Sequence, residues 1–132
     1  MNADPVCGRC GRRMEPRRRW ASKGQIVRYC SAKCRGLRLS GTDRDLERQI
    51  IRLLGRTEGG SSICPSEAAR AVRPEHWRPL MEAARSAARR LAARGVVEWT
   101  QRGRRVDPST ARGPVRIRRG REWDRHEAEV TS

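Results

Sequence analysis

The sequence predicts an α+β protein built from two small modules, and three observations lead there. Four cysteines fall in two close pairs before residue 35, apolar residues from Leu46 onward recur at helical spacing, and the stretch from Val96 to Arg118 contains apolar–polar alternation typical of strands. A chain of 132 residues has room for one ordinary domain or two very small ones. Domains below about 40 residues usually need a metal or disulfides to fold.

The cysteines define the first module, residues 1–41. Cys7 and Cys10 are separated by two residues, nineteen residues follow, and Cys30 and Cys34 are separated by three. Gly11 after the first pair allows the tight turn that aims two thiolates at one metal ion. Residues 17–20 and 25–29 read as two strands joined around Lys23-Gly24, and Ser31 to Arg35 as the start of a helix. Knuckle, hairpin and helix make a treble-clef zinc finger with one structural Zn2+ held by Cys7, Cys10, Cys30 and Cys34. A helix N-terminus and Arg35 next to the second pair favour the thiolate forms that zinc requires. Four sulfur ligands close the tetrahedron, whereas catalytic zinc keeps a position open, and His76 and His126 are remote in sequence. Zinc binding is expected to contribute on the order of 10 kcal/mol to this module, so chelation should unfold residues 1–41.

The second module, 42–119, opens after the polar hinge Leu39-Ser40-Gly41-Thr42, with Thr42 as the expected helix cap and Asp45 as its N3 residue. Leu46, Ile50, Leu53 and Leu54 form one apolar stripe of a helix ending near Gly55, opposite Arg44, Arg48 and Arg52. Ser61 to Ile63 reads as a short strand, and Pro65 as the first residue of a helix to Val72. Pro79 similarly starts a third and longest helix, buried along Leu80, Ala84, Ala87 and Leu91 and closed by a left-handed Gly95. Residues 96–101 then alternate as a strand, Arg102-Gly103 turns it back, and Trp99 should face Val106. Val115 to Arg118 reads as a further strand. Helix, strand, helix, long helix and hairpin is the order of a winged helix. Residues 120–132 are expected to form a disordered tail.

Two resemblances run alongside this reading. The run Cys7-Gly8-Arg9-Cys10-Gly11-Arg12-Arg13, the arginine triplet before Trp20, and Tyr29-Cys30-Ser31-x-x-Cys34-Arg35 resemble the bacterial family domain-of-unknown-function 2256 over about the first 38 residues. Glu15-Pro16 stands where that family usually has another aromatic residue. Residues 42–120, with Ile63-Cys64-Pro65-Ser66-Glu67, Trp77-Arg78-x-Leu80-Met81 and Gly113-Pro114-Val115-Arg116, resemble domain-of-unknown-function 3253. The resemblances support the module boundaries and imply no particular activity.

Charge points to the partner. Thirty-one basic and fifteen acidic residues give a net +16, made of +9 in residues 1–41, +9 in 42–119 and −2 in 120–132. Such a balance favours a polyanion, with nucleic acid the first choice. The predominance of arginine, with only Lys23 and Lys33 as lysines, fits a GC-rich coding bias as much as a need for guanidinium chemistry. The expected contacts are Arg17, Arg18 and Arg19 in the zinc module, Arg78, Arg85, Arg89 and Arg90 on the third helix, and Arg102, Arg104 and Arg105 on the wing. Six to eight such contacts would give log affinity a slope of roughly −5 to −7 against log salt. The competing reading of the helix is a solvated face in which Glu82 pairs with its neighbours.

These features lead to the expectation of a nonenzymatic, zinc-containing protein that binds duplex DNA. Two alternatives share the same charge: an adaptor presenting Trp20 and the arginine triplet to an acidic protein, and an RNA- or ribosome-associated protein. No paired carboxylates, phosphate-binding glycine loop or nucleophile–base set is present, and Cys64 has no histidine at a spacing that would activate it. Trp77 and Trp99 are expected as core anchors. The absence of a membrane-length apolar stretch and of a secretory start leads to the expectation of a cytoplasmic protein with no membrane partner.

Overall fold

The computed structural model describes residues 7–8, 10–13, 39–57 and 60–125. Arg17, Arg18, Arg19, Cys30, Cys34, the expected zinc-module hairpin and helix, and residues 126–132 lie outside them. The elements are α1 (Gly41–Arg56), β1 (Ser62–Ile63), α2 (Pro65–Val72), a 3-10 turn (Arg78–Leu80), α3 (Met81–Ala93), β2 (Val97–Gln101), β3 (Arg104–Val106) and β4 (Arg116–Arg119). The fold is α+β. Four strands in the order β1-β4-β2-β3, every neighbouring pair antiparallel, form one sheet packed against the helices.

Helix α1 starts two residues earlier than the Thr42 cap anticipated from the sequence. The Ser40 hydroxyl accepts from the Asp43 amide at 3.2 Å, and the Asp43 carboxylate accepts from the Ser40 amide at 2.8 Å. Both Ser40-x-x-Asp43 and Thr42-x-x-Asp45 can form this reciprocal box. The earlier one is used, and its Asp43 carbonyl also accepts from Arg90 on α3 at 3.5 Å. The helix runs one residue past Gly55. Its C-terminal carbonyls are met by the Thr57 hydroxyl, 2.8 Å from the Leu54 oxygen, and by Arg119, which donates to Leu54 and Thr57.

The other helix boundaries follow local chemistry closely. Pro65 is the first residue of α2, where its missing N–H removes nothing from the helix. The long helix begins as a 3-10 turn at Arg78 and becomes α-helical at Met81. It ends in a Schellman motif: Gly95, at φ 78°, donates to Ala92, and Val96 donates to Leu91.

Trp99 faces Val106 across the β2–β3 hairpin as expected, and on its other side faces Ile117 of β4. Strand β4 therefore lies between β1 and β2, one residue later than the Val115 start read from the sequence. Its Ile117 joins Trp99, Val97 and Ile63 on the face that meets Leu46, Ile50 and Leu54 of α1 and Ala84, Ala87 and Leu91 of α3. Small alanines on α2 and α3 let the helix backbones approach, which offsets the shortage of large side chains. Trp99 is wholly buried, whereas Trp77 is half-buried against the core edge.

Residues 120–125 are not a disordered tail. Gly120 donates to Val96 at 2.8 Å, Glu122 donates to Gly95 at 2.9 Å, and Trp123 lies 2% exposed in the core. A side chain at Gly120 would meet the Gly95 oxygen at 2.4 Å, so only glycine lets the chain pass there. The sequence reading missed this because Trp123 stands alone among charged residues, with no apolar periodicity around it. Among the described residues no helix is long and apolar enough to cross a membrane.

Truncating Trp123 to alanine should therefore destabilise the second module by about 3 kcal/mol, as expected for a large side chain removed from a packed core. Urea unfolding monitored by circular dichroism measures this. An unchanged midpoint would return residues 120–125 to a dispensable tail.

Candidate nucleic-acid interface

The arginines of α3 divide into groups with different surroundings. Arg89 is 3% exposed; its Nε donates to the Pro108 carbonyl at 3.2 Å, and its Nη1 lies 3.2 Å from Glu82 and 3.4 Å from the Ser86 hydroxyl. Arg90 is 8% exposed and pairs through Nε with Glu47 of α1 at 3.1 Å. Arg85 donates to the carbonyls of Gly113 and Ala111 at 3.2 and 3.3 Å. Burial, and then the neighbouring Arg89 guanidinium, lower the Arg85 pKa from the ordinary arginine value despite Glu82 nearby. The guanidinium groups of Arg85 and Arg89 also lie 5.2 and 5.5 Å from the Trp99 ring centre.

Burial of Arg89 and Arg90 runs against the expectation that they present charge to a duplex, while Arg85 is half-buried with its guanidinium on the loop carbonyls. Arg85 and Arg89 lie on the side of the helix away from Leu80, Ala84 and Leu91. The loop 107–115 and the segment at Cys7–Arg13 cover that side as well. Arg78 remains exposed and lies 5.4 Å from the Trp77 ring centre, which Arg70 also approaches at 4.4 Å. The outer arginine stripe expected on α1 is present, with Arg44, Arg48 and Arg52 all exposed.

Charge that is available gathers at the hairpin. Between its tip, the 107–115 loop and the start of α2 lies a groove of about 1190 Å³, whose lining includes Arg102, Arg104, Arg105, Arg112 and Arg116 and no carboxylate. Arg102 and Gly103 form a two-residue turn with φ of 54° and 80°. Asparagine, aspartate or glycine usually fills such positions, so an arginine in the left-handed region is strained by about 1 kcal/mol and keeps a guanidinium at the tip. Arg102, Arg104 and Arg112 are exposed and have no ion pair among the described residues. Arg105 reaches Glu98 at 3.3 Å, while Arg116 is fixed by the Ser62 hydroxyl and carbonyl at 2.6 and 2.8 Å.

The structure therefore brings the three wing arginines named from sequence together with two that sequence reading missed. Arg116 carried a signal, because alternation in β4 puts it on the face opposite Ile117. Arg112 carried none; it is placed by Gln101, whose side chain donates to the Arg112 carbonyl at 2.6 Å. Cys64, just before α2, also lines the groove and accepts from the Ser66 hydroxyl at 3.1 Å.

Cys7 and Cys10 are buried beside α3, where Gly11 approaches Arg89 and Arg90. The Cys10 amide lies 3.5 Å from the Cys7 sulfur, the Gly11 amide donates to the Cys7 carbonyl at 3.0 Å, and Gly11 has φ of 76°. Two buried thiols with an N–H directed at sulfur fit one half of a metal site. Among the described residues, no cluster of three or more His, Cys, Asp or Glu residues forms a metal site.

Two family models match the chain in tandem. The one described as "Protein of unknown function (DUF3253)" covers residues 43–120, and the one described as "Uncharacterized protein conserved in bacteria (DUF2256)" covers residues 3–36. The chain belongs to the DUF3253 family. No curated protein matches it. The DUF3253 match contains the described lining of the arginine groove and α3, while Cys7, Cys10 and Arg13, which pairs with Asp107 of the loop, lie in the DUF2256 match.

The two kinds of arginine in this DUF3253 protein should separate by stability. Arg90→Ala removes the buried partner of Glu47, which keeps its exposed partner Arg94 at 2.6 Å, and should cost about 2 kcal/mol in urea unfolding. Arg102→Ala should change stability by less than about 0.5 kcal/mol. Equal effects would contradict the division into internal and available arginines.

Proposed function

We propose that this is a nonenzymatic zinc-containing nucleic-acid-binding protein that contacts the phosphate backbone of duplex DNA through the arginine groove beside its hairpin. The observation that carries this reading is the convergence of Arg102, Arg104, Arg112 and Arg116, with Arg105, on one concavity without a carboxylate. Guanidinium groups pair well with phosphate oxygens, and phosphate contacts fix position without reading sequence.

The element order supports a winged-helix-like domain in which β4 takes the place of the returning wing strand, pairing with both β1 and β2, and β3 is an added edge strand. In the usual use of that architecture the third helix enters the major groove. In this reading the arginine groove beside the hairpin, rather than α3 with its buried Arg89 and Arg90, meets DNA.

In the first module, Cys7 and Cys10 together with Cys30 and Cys34 would hold one structural Zn2+ as a closed treble-clef site. The metal would supply folding energy to the module, while the nucleic-acid contacts come from arginine side chains.

Three to four phosphate contacts replace the larger number anticipated from sequence. Fluorescence anisotropy with a labelled 20-base-pair duplex should give a slope of log affinity against log salt of about −3 to −4. The triple variant Arg102→Ala, Arg104→Ala, Arg112→Ala should lose roughly three units of that slope on duplexes of unrelated sequence. A nearly flat salt response of the unaltered protein, or an unchanged slope in the triple variant, would overturn the proposal.

A further inference from the structure

One wall of the arginine groove is a loop, and its position depends on groups far away in sequence. Between β3 and β4 the chain turns on Asp107, whose carboxylate accepts from the Ser109 amide at 2.9 Å and whose carbonyl accepts from Thr110 and Ala111 at 3.2 and 2.9 Å. Arg85 and Arg89 hold this loop from α3, and Gln101 holds it from the hairpin.

A third anchor comes from the N-terminal knuckle. Arg13 forms an ion pair with Asp107 at 2.9 Å, and its amide donates to the Ser109 hydroxyl at 2.8 Å across 96 residues of chain. The knuckle is seated on α3: a side chain at Gly11 would lie 2.5 Å from the Arg89 Cβ and 2.6 Å from the Arg90 amide nitrogen. Arg12 lies 3.9 Å from Glu82, the same carboxylate that meets Arg89. Cys7 and Cys10 are buried, at 0% and 7% exposed.

We infer that the cysteine knuckle is a latch for the groove: metal held at Cys7 and Cys10 keeps Arg13 in place, and Arg13 positions the Asp107–Ala111 turn and thereby the loop that carries Arg112. A short segment with two buried thiols keeps this shape only while they are ligated, because metal-binding energy is folding energy for such a module. Arg13 is thus a positioning residue that acts on the groove through the loop. The latch is an internal property of the chain, and only its effect on DNA rests on the function proposed above.

Amide hydrogen exchange on the full-length, zinc-loaded protein tests the latch without reference to DNA. Stripping the metal with a chelator, or substituting Arg13→Ala, should accelerate exchange of the Thr110 and Ala111 amides about tenfold, with Ile50 and Leu54 unchanged. Arg13→Ala should retain one zinc per chain, and Arg13→Lys should restore part of the protection. Unaltered exchange at 110–111 after chelation, at a point where Cys7 and Cys10 have become open to alkylation, would overturn the inference. So would full protection in Arg13→Ala.

In the duplex measurement Arg13→Ala should weaken binding several-fold. A protein that binds no duplex in any form would remove the proposed function, and the exchange result would then decide the latch alone.

Discussion

Alongside its apolar core, the second module is tied together by guanidinium groups of α3. A buried charge is tolerated only when it is paired and hydrogen-bonded, and these arginines take their partners from α1, from the 107–115 loop and from α3 itself. Arg90 draws in Glu47 and the Asp43 carbonyl of α1. Arg89 joins Glu82 to the Pro108 carbonyl, and Arg85 ties down the Ala111 and Gly113 carbonyls. With few large apolar residues to unite the module, these polar ties set where α1 and the 107–115 loop lie. Removing one partner leaves a charge stranded, which is why such contacts specify geometry more than they add net stability.

This arrangement changes what a net charge of +16 means. Part of it is internal and compensated, and a further part is engaged in holding carbonyl groups, as Arg119 does at the end of α1. Among the described residues, exposed arginines stand along α1 and again at the hairpin, where Arg102 occupies a left-handed turn position that asparagine or glycine would fill with less strain.

Local chemistry was legible in the sequence wherever one residue type decides a backbone conformation. Pro65 opened α2, Gly95 closed α3, and the Arg102-Gly103 turn set Trp99 opposite Val106. Choices between equivalent local signals were not legible: Ser40 and Thr42 each offer a cap, and the one used belongs to a turn whose Asp43 carbonyl meets Arg90. Periodicity also gave no sign that Arg89 and Arg90 are buried, because a helical wheel shows a helix's own faces and says nothing of what distant segments will lay over them. Trp123 was missed for the same reason, since its burial depends on Gly120 and Glu122 bonding to Val96 and Gly95. At the first cysteine pair, the turn that Gly11 makes with φ of 76° was legible from the two-residue spacing and the glycine.

The most direct test of this division between inner and available arginines is a nuclear magnetic resonance titration of arginine Nε–H signals with a short DNA duplex. The account predicts that Arg102, Arg104, Arg112 and Arg116 shift on binding, while Arg89 and Arg90 stay fixed and Arg85 keeps its bonds to the loop. Shifts at Arg85 and Arg89, together with loss of their loop contacts and none at the hairpin, would contradict it and make α3 the surface that meets DNA.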